Sequence, residues 1–131
     1  MFLTLILALI FLCSLTACKK EPVKVDGDSV IITARSSEYD IEGKTLYEFM
    51  QIISEDEKLE FTLSNGMVSS INGKDNGTNS FWMLYTDDEE NSNTAWGTVE
   101  YEGKIYASAA LGATELLVKD GATYIWIYQT F

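Results

Sequence analysis

The sequence predicts an α+β domain in which a single helix packs on a mostly antiparallel β-sheet. Residues 46–54 repeat apolar side chains at the spacing of an amphipathic helix. Several shorter segments alternate apolar and polar residues or are rich in β-branched and aromatic ones, which is typical of strands. Turn residues separate these segments at short intervals, so neighbouring strands are expected to join as hairpins. The length of 131 residues favours one folded domain.

The helix has a start signal as well as an apolar stripe. Thr45 and Glu48 form a capping box, because the Thr45 hydroxyl can accept from the Glu48 N–H while the Glu48 carboxylate reaches back. The apolar residues that follow at i, i+3, i+4 and i+7 are Leu46, Phe49, Met50 and Ile53. We expect this stripe to belong to the core rather than to a groove for a partner.

Strands are expected on both sides of this helix. Residues 29–35 are rich in β-branched side chains and predict a first strand. Residues 36–43 form a loop or a short second strand. Residues 59–63 alternate apolar and polar side chains, as a half-buried strand does. The helix therefore connects the first strand to the remainder of the sheet.

The centre of the chain, residues 66–85, contains two further predicted strands. Residues 67–71 are expected to pair antiparallel with residues 80–85, and the glycine- and asparagine-rich link over residues 72–79 supplies the turn. Both faces of the second strand are apolar. We therefore expect it to lie in the middle of the sheet or to be covered on its second face.

Two tight turns are predicted in the C-terminal third. Glu102-Gly103 joins residues 98–101 to residues 104–107 as a hairpin. Residues 119–122 form a second tight turn, flanked by strands over residues 115–118 and 123–128.

The N-terminal segment predicts export and lipid anchoring. Residues 2–16 are nearly continuously apolar, but they are fewer than the ~20 residues that a membrane-spanning helix needs. Residues 15–18, Leu-Thr-Ala-Cys, match the lipobox of bacterial lipoproteins, in which small residues give the peptidase access before the cysteine. We therefore predict a signal peptide over residues 1–17 and fatty acylation of Cys18 by chains such as palmitate. The alternative is an ordinary signal peptide or an uncleaved anchor.

A tether is expected between the anchor and the folded domain. Residues 18–28 are polar after the cysteine and carry the only proline, Pro22. The domain itself is predicted over residues 29–131. Lipidated Cys18 would place this domain at the extracytoplasmic face of the cell membrane, with the bilayer as its partner.

Charge and composition exclude several classes of function. The formal net charge of −11 repels the phosphates of nucleic acid, so no nucleic-acid partner is expected. The chain has no histidine, and both cysteines, Cys13 and Cys18, precede the predicted domain. The domain therefore lacks the usual nucleophile and base pairs, and we predict a protein that is not an enzyme, with no catalytic residue and no resident cofactor.

An acidic segment over residues 87–93 carries a partial calcium-loop pattern. Oxygen-bearing side chains occupy ligand positions 1, 3, 5 and 7. Ser92 stands where the loop needs glycine, however, and Thr98 stands where it needs a bidentate glutamate. We predict a solvated acidic loop and no metal site.

The three tryptophans have different predicted roles. Trp126 lies in an alternating strand and is expected in the core. Trp82 fits either the core or a ligand contact equally well. Trp96 lies in a polar insert beside a glycine, and a tryptophan in such a context more often marks a binding surface.

Three short patterns, in order along the chain, resemble one known domain. Residues 69–85, SSINGKDNGTNSFWMLY, are similar to the SI-N-G…YW core of the C-terminal domain of transcobalamin and intrinsic factor. Residues 43–46, GKTL, resemble the start of that domain's single helix, and residues 119–131 resemble its final DG-x-x-I hairpin. In bacteria, this domain recurs as a transcobalamin-like module of unknown function, the DUF4430 family.

This resemblance implies a β-grasp-like fold and a ligand-binding role. In the vitamin carriers, the strand corresponding to residues 81–85 faces the flat corrin ring, which implies Phe81, Trp82 and Tyr85 as ligand contacts. Trp96, from the inserted loop, is expected to close over the same ligand. The implied ligand is a corrinoid such as cobalamin, or another planar molecule.

Two functions are compatible with these observations. The first is a lipoprotein that presents a small ligand-binding module and captures a planar ligand for an uptake-system protein. The second is a structural or adhesive surface domain that binds cell-wall polymer or another protein.

Overall fold

The computed structural model describes residues 21–131, so the predicted signal peptide and the lipidation site at Cys18 lie outside the described residues. This part of the chain contains nine β-strands and one α-helix. Their bounds are Val23–Asp26 (β1), Ser29–Thr33 (β2), Leu46–Glu55 (α1), Phe61–Ser64 (β3), Met67–Ile71 (β4), Lys74–Asp75 (β5), Ser80–Thr86 (β6), Ser92–Tyr101 (β7), Lys104–Ala109 (β8) and Thr123–Thr130 (β9). Within residues 21–131, no helix has the length and hydropathy to cross a bilayer.

The strands form two antiparallel sheets. The large sheet has the order β1-β2-β9-β6-β8-β7, and the small sheet has the order β3-β4-β5. Strand β9 lies inside the large sheet, where Trp126 is opposite Val30 of β2 and Leu84 of β6. The predicted α+β class, with one helix on a mostly antiparallel sheet, is confirmed.

The helix begins at the residue that the capping signal predicts. The Glu48 N–H donates to the Thr45 hydroxyl oxygen at 3.2 Å, and the Thr45 N–H donates to the Glu48 carboxylate at 3.1 Å. The four residues of the stripe are fully buried: Leu46, Phe49, Met50 and Ile53. This stripe is therefore core, as predicted.

The main core lies between the helix and one face of the large sheet. The alternate residues Val30 and Ile32 of β2, Leu84 of β6 and Tyr124 of β9 point to this face. Ile71 of the small sheet closes the same core from the side. The burial of this many apolar side chains in one cluster is the dominant favourable contribution to the stability of the domain.

The second face of the large sheet is covered by the hairpin β7–β8. Tyr106 of β8 packs with Ile31, Tyr85 and Ile125, which project from the face opposite the helix. The sheet curls far enough for the hairpin tip to reach β1, where Glu102 of the tip forms a 2.8 Å ion pair with Lys24. The apolar strand at residues 80–85 was expected to be central or covered on its second face, and as β6 it is both.

The predicted pairing of residues 67–71 with residues 80–85 is wrong. Strand β4 pairs instead with β3 and with the short β5. The reason is that Asn72 and Gly73 both adopt positive φ, at 50° and 80°, and form a two-residue hairpin turn by themselves. The chain therefore turns back on β4 at once rather than after the whole link of residues 72–79.

Two other segments differ from the sequence prediction. Residues 115–118 do not form a strand beside β9: Leu117 is bridged to Thr45 at the helix entrance, although the predicted turn at residues 119–122 is present. The C-terminal part of the expected tether also belongs to the fold, because Val23–Asp26 pairs with β2 as strand β1, so the domain begins before the predicted residue 29.

The burial of the stripe predicts the effect of one substitution. Phe49→Ala should lower the free energy of unfolding by about 3–5 kcal/mol, because it removes a fully buried aromatic side chain and leaves a cavity. Chemical denaturation of wild type and variant measures this difference. Phe131→Ala is the matched control, since Phe131 is 73 % exposed, and its unfolding free energy should change by less than ~0.5 kcal/mol. Equal effects of the two substitutions would contradict the packing of α1.

Candidate functional site

One edge of β6 is only partly paired. Strand β9 pairs with β6 from Ser80 to Thr86, whereas β8 pairs with it only at Tyr85 and Thr86. Along residues 80–84, a loop residue binds the backbone of β6 at this edge instead of a strand. The Trp82 N–H donates to the Asn76 side-chain oxygen at 2.9 Å. An opening therefore remains between the small sheet and the end of β8.

This opening is a groove of about 320 Å³, which we call the β6 groove. Its floor consists of Trp82, Leu84 and Trp126 from β6 and β9. One wall is the tip of the β3–β4 hairpin around Met67, and the other wall is the chain from residue 108 to residue 113. Among residues 21–131, no charged side chain lines this groove, so its interior suits an uncharged occupant.

Exposed apolar side chains stand at the rim of the β6 groove. Met67 is 67 % exposed and Leu111 is 39 % exposed. Gly112 lies beside them, and a Cβ atom added there would contact nothing within 4 Å. Met67 and Leu111 therefore give the groove an apolar rim, and a concave surface of this kind is where small ligands bind.

Trp82 is held in place by two partners of its indole ring and one of its backbone. Its Nε1–H donates to the Lys74 carbonyl oxygen at 2.8 Å, and Tyr128 packs edge-on at a centroid distance of 5.2 Å. The Trp82 backbone N–H is fixed by Asn76. A floor residue with satisfied polar groups and a fixed ring presents a preformed surface, so a ligand need not order it on binding.

The predicted ligand residues do not come together on one surface. Trp82 faces the helix side of the sheet and lines the β6 groove. Tyr85 belongs to the cluster on the opposite face, and its hydroxyl donates to Gln129 at 2.8 Å. Phe81 is 38 % exposed and packs against Phe131 with a centroid distance of 6.4 Å. The alternation of side chains along β6 separates Trp82 from both of these residues.

Trp96 projects from a bulge in the edge strand β7. Pairing with β8 breaks after Asn93 and resumes at Thr98, so residues 94–97 have no partner on β8. Trp96 is 64 % exposed, as the prediction of a surface tryptophan requires. The bulge begins close to the β6 groove. Asn93, the last paired residue before the bulge, is opposite Ser108, and Ser108 lines the groove. Trp96 itself is not among the residues that line the groove.

The acidic segment after β6 is more ordered than the predicted solvated loop. Asp88 caps a short 3₁₀ turn at Glu89–Asn91, and its side chain is 1 % exposed. Its carboxylate accepts hydrogen bonds from the Asn91 amide at 2.7 Å and from Lys119 at 3.0 Å. Within residues 21–131, no group of three or more acidic, histidine or cysteine side chains is arranged to hold a metal ion.

Electrostatics keep the buried Asp88 ionised. Burial by itself would raise the pKa of this carboxyl, but the hydrogen bonds from Asn91 and Lys119 and the Lys119 charge outweigh it and lower the pKa below the ordinary 3.8. The ionised Asp88 carboxylate therefore links the end of β6 to Lys119, in the turn before β9, through charge-assisted hydrogen bonds.

The sequence contained weak signals for the groove residues that its motifs did not identify. Leu111, Gly112 and Ala113 appeared only as a break between strands. Met67 opened a strand that was expected to pair with β6. The useful signal would have been the Asn72-Gly73 pair, because a hairpin turn there moves β4 away from β6 and leaves room for a groove.

Comparisons with known proteins assign no family to the chain. No family model matches it, and neither a curated protein nor a solved structure is detectably similar to it. The resemblance to the transcobalamin-like domain therefore stays a prediction from three short sequence patterns, and the β6 groove is the structural feature that bears on function.

The lowered pKa of Asp88 predicts a loss of stability in acid. The pKa of Asp88 is lower in the folded state than its ordinary value of 3.8. Ionised Asp88 therefore stabilises the fold above about pH 3.8, and this stabilisation is lost as the pH falls through the folded-state pKa. At pH 7, Asp88→Asn should lower the free energy of unfolding by about 1–3 kcal/mol, because it weakens buried hydrogen bonds to Asn91 and Lys119. The difference from wild type should shrink below about pH 4.

The control for this prediction is Glu90→Gln. Glu90 also pairs with Lys119, at 3.0 Å, but its side chain is 82 % exposed, so the change should be small at every pH. Thermal unfolding from pH 3 to pH 7 measures both variants. A constant difference between Asp88→Asn and wild type across this range would contradict the assignment.

Proposed function

We propose that this chain is a lipid-anchored extracytoplasmic protein that presents a small ligand-binding module, with the β6 groove as its binding site. The observation that carries the proposal is an uncharged groove of about 320 Å³ floored by two tryptophans. That volume lies at the lower end of the range of small-molecule sites, about 300–1,000 Å³. The anchor is the predicted acylated Cys18, and the tether begins before β1.

Size and shape restrict the proposed ligand. A corrin ring is larger than the groove, so a corrinoid would insert one edge between Met67 and Leu111 and leave the rest of the ring over the mouth. A smaller planar molecule would enter completely and stack near Trp82. With one domain to hold the ligand, we expect an affinity on the micromolar scale, corresponding to about −8 kcal/mol. A protein of an uptake system would then receive the ligand.

A second candidate function is a structural or adhesive surface domain. The observation that favours it is the exposed outer side of the β7–β8 hairpin, where Trp96 is 64 % exposed and Ile105 is 65 % exposed. Isolated aromatic side chains of this kind are frequent hot spots of protein contacts. Cell-wall polymer or another protein would be the partner, and the β6 groove would have no role.

The lipid anchor predicts a simple labelling result. Cells that express the full chain and are fed a fatty-acid analogue should label the wild-type protein and recover it in the membrane fraction. Cys18→Ala should abolish the label, because the thiol is the acylation site, and should release or misprocess the protein. Cys13→Ala is the matched control and should keep the label. Equal labelling of wild type and Cys18→Ala would show that the lipoprotein assignment is wrong.

The groove predicts which substitution blocks a ligand. The full chain, held in phospholipid bicelles, is titrated with cobalamin, cobinamide and small planar compounds while tryptophan fluorescence is recorded. Trp82 and Trp126 line the groove, so a bound ligand should quench their emission. Gly112→Leu should weaken binding by at least about tenfold, or about 1.4 kcal/mol, because it adds a bulky side chain to a residue that lines the groove.

Two controls separate the groove from other surfaces. Thr114→Leu adds the same kind of side chain at an exposed position outside the groove and should leave binding unchanged. Trp96→Ala tests the predicted contact from the bulge and should weaken binding of a large ligand by about 1–3 kcal/mol if the ligand extends over the rim. If no compound binds at millimolar concentration, the ligand-binding function fails and the adhesive one replaces it.

A further inference from the structure

Met67 is the most accessible methionine of residues 21–131, and it lines the β6 groove. It is 67 % exposed and directly follows the Asn65-Gly66 turn, where both residues adopt positive φ, so it lies at the tip of the β3–β4 hairpin. By contrast, Met50 of the helix is fully buried, and Met83 of β6 is partly buried. The three methionine side chains therefore differ strongly in their access to solvent.

Methionine is the oxidisable sulfur group of this domain. The two cysteines, Cys13 and Cys18, precede the described residues, so residues 21–131 contain no thiol. A thioether sulfur reacts with hydrogen peroxide by donating an electron pair to one peroxide oxygen. The O–O bond breaks, the S–O bond of the sulfoxide forms, and the second oxygen leaves as water with both hydrogens. The sulfur is thereby oxidised by the two electrons that reduce the peroxide.

We propose that Met67 is a site of reversible oxidation by peroxide, and that its sulfoxide weakens the binding of an uncharged ligand in the β6 groove. This inference rests on the proposed ligand-binding function. The proposed extracytoplasmic location is an oxidising one, and reductases convert methionine sulfoxide back to methionine. Oxidation of this one residue would therefore act as a switch on the binding site.

The loss of affinity follows from the change in polarity at the rim. The side chains of Met67 and Leu111 give opposite walls of the groove an apolar surface. Oxidation turns the thioether into a polar sulfoxide, whose oxygen is a hydrogen-bond acceptor that water solvates well. An apolar ligand that covers this oxygen removes its water, and among residues 21–131 no lysine or arginine lines the groove to replace that water. Solvation of the sulfoxide therefore opposes binding of the ligand.

The methyl signals of methionine report oxidation and binding in one experiment. The full chain is labelled with [¹³C-methyl]methionine and held in phospholipid bicelles, and coumarin serves as an uncharged planar probe. Met67→Leu identifies the Met67 methyl signal by its loss, and protein-free bicelles correct for partitioning of coumarin. Coumarin is titrated before and after limited treatment with hydrogen peroxide, whose excess is removed by catalase. Peptide mass spectrometry locates each added oxygen.

The expected order of oxidation is Met67 first, Met83 more slowly and Met50 last, as their exposure decreases. Coumarin should shift the Met67 methyl signal of untreated wild type, and formation of the sulfoxide should weaken its binding by about fivefold or more. The two epimer-specific sulfoxide reductases together should restore the affinity.

Two variants connect the effect of peroxide to one sulfur atom. Met67→Leu keeps an apolar side chain at the rim but has no sulfur there, so peroxide should not change that variant's own affinity for coumarin. Met83→Leu is the matched control, because it removes the other methionine that lines the groove and keeps Met67. Its affinity should stay sensitive to peroxide.

Each negative outcome identifies the step that fails. If Met83 or Met50 is oxidised before Met67, then Met67 is not the site of modification. If Met67 is oxidised and the affinity is unchanged, or if Met67→Leu loses affinity as wild type does, the sulfoxide does not control the groove. In these cases coumarin still binds untreated wild type, so only this inference fails. If coumarin shifts no methyl signal at millimolar concentration, the groove does not bind the proposed class of ligand, and both proposals fail.

Discussion

The structure depends on the side-chain amide of Asn76, which joins the two sheets. Its nitrogen donates to the Val68 carbonyl oxygen of β4 at 3.1 Å, and its oxygen accepts from the Trp82 N–H of β6 at 2.9 Å. The amide thus satisfies backbone groups on both sheets where no strand pairing is available, and an unsatisfied buried N–H would be costly. Together with the Trp82 Nε1–H bond to the Lys74 carbonyl oxygen of β5, this amide fixes the small sheet beside β6.

The β6 groove is a consequence of this connection. Asn76 holds the β3–β4 hairpin beside β6 without forming strand pairing with β6. Strand β8 pairs with β6 only at Tyr85 and Thr86 and then diverges from it. The space between them is lined by apolar side chains because it continues the main core outward. On the other face, the curled β7–β8 hairpin covers Ile31 and Ile125, which leaves the helix side as the face with an opening.

Local signals in the sequence predicted the parts of the fold that local chemistry controls. The capping box at Thr45, the buried stripe with Phe49, and the Glu102-Gly103 turn all agree with the structure because each depends on residues close in sequence. The partners of β4 were predicted incorrectly. An apolar strand is equally compatible with several neighbours, and the choice among them is made by contacts that are distant in the chain.

Local patterns in the sequence were sufficient to predict the class of fold, the buried stripe of the helix at residues 46–55, the exposed position of Trp96 and the buried position of Trp126. They could not determine which aromatic residues share a surface, since strand alternation placed Trp82 and Tyr85 on opposite faces. Only the long-range packing of the strands formed the groove. The physical reason is that a groove is the space between elements, and this space is fixed by packing and long-range hydrogen bonds rather than by local propensity.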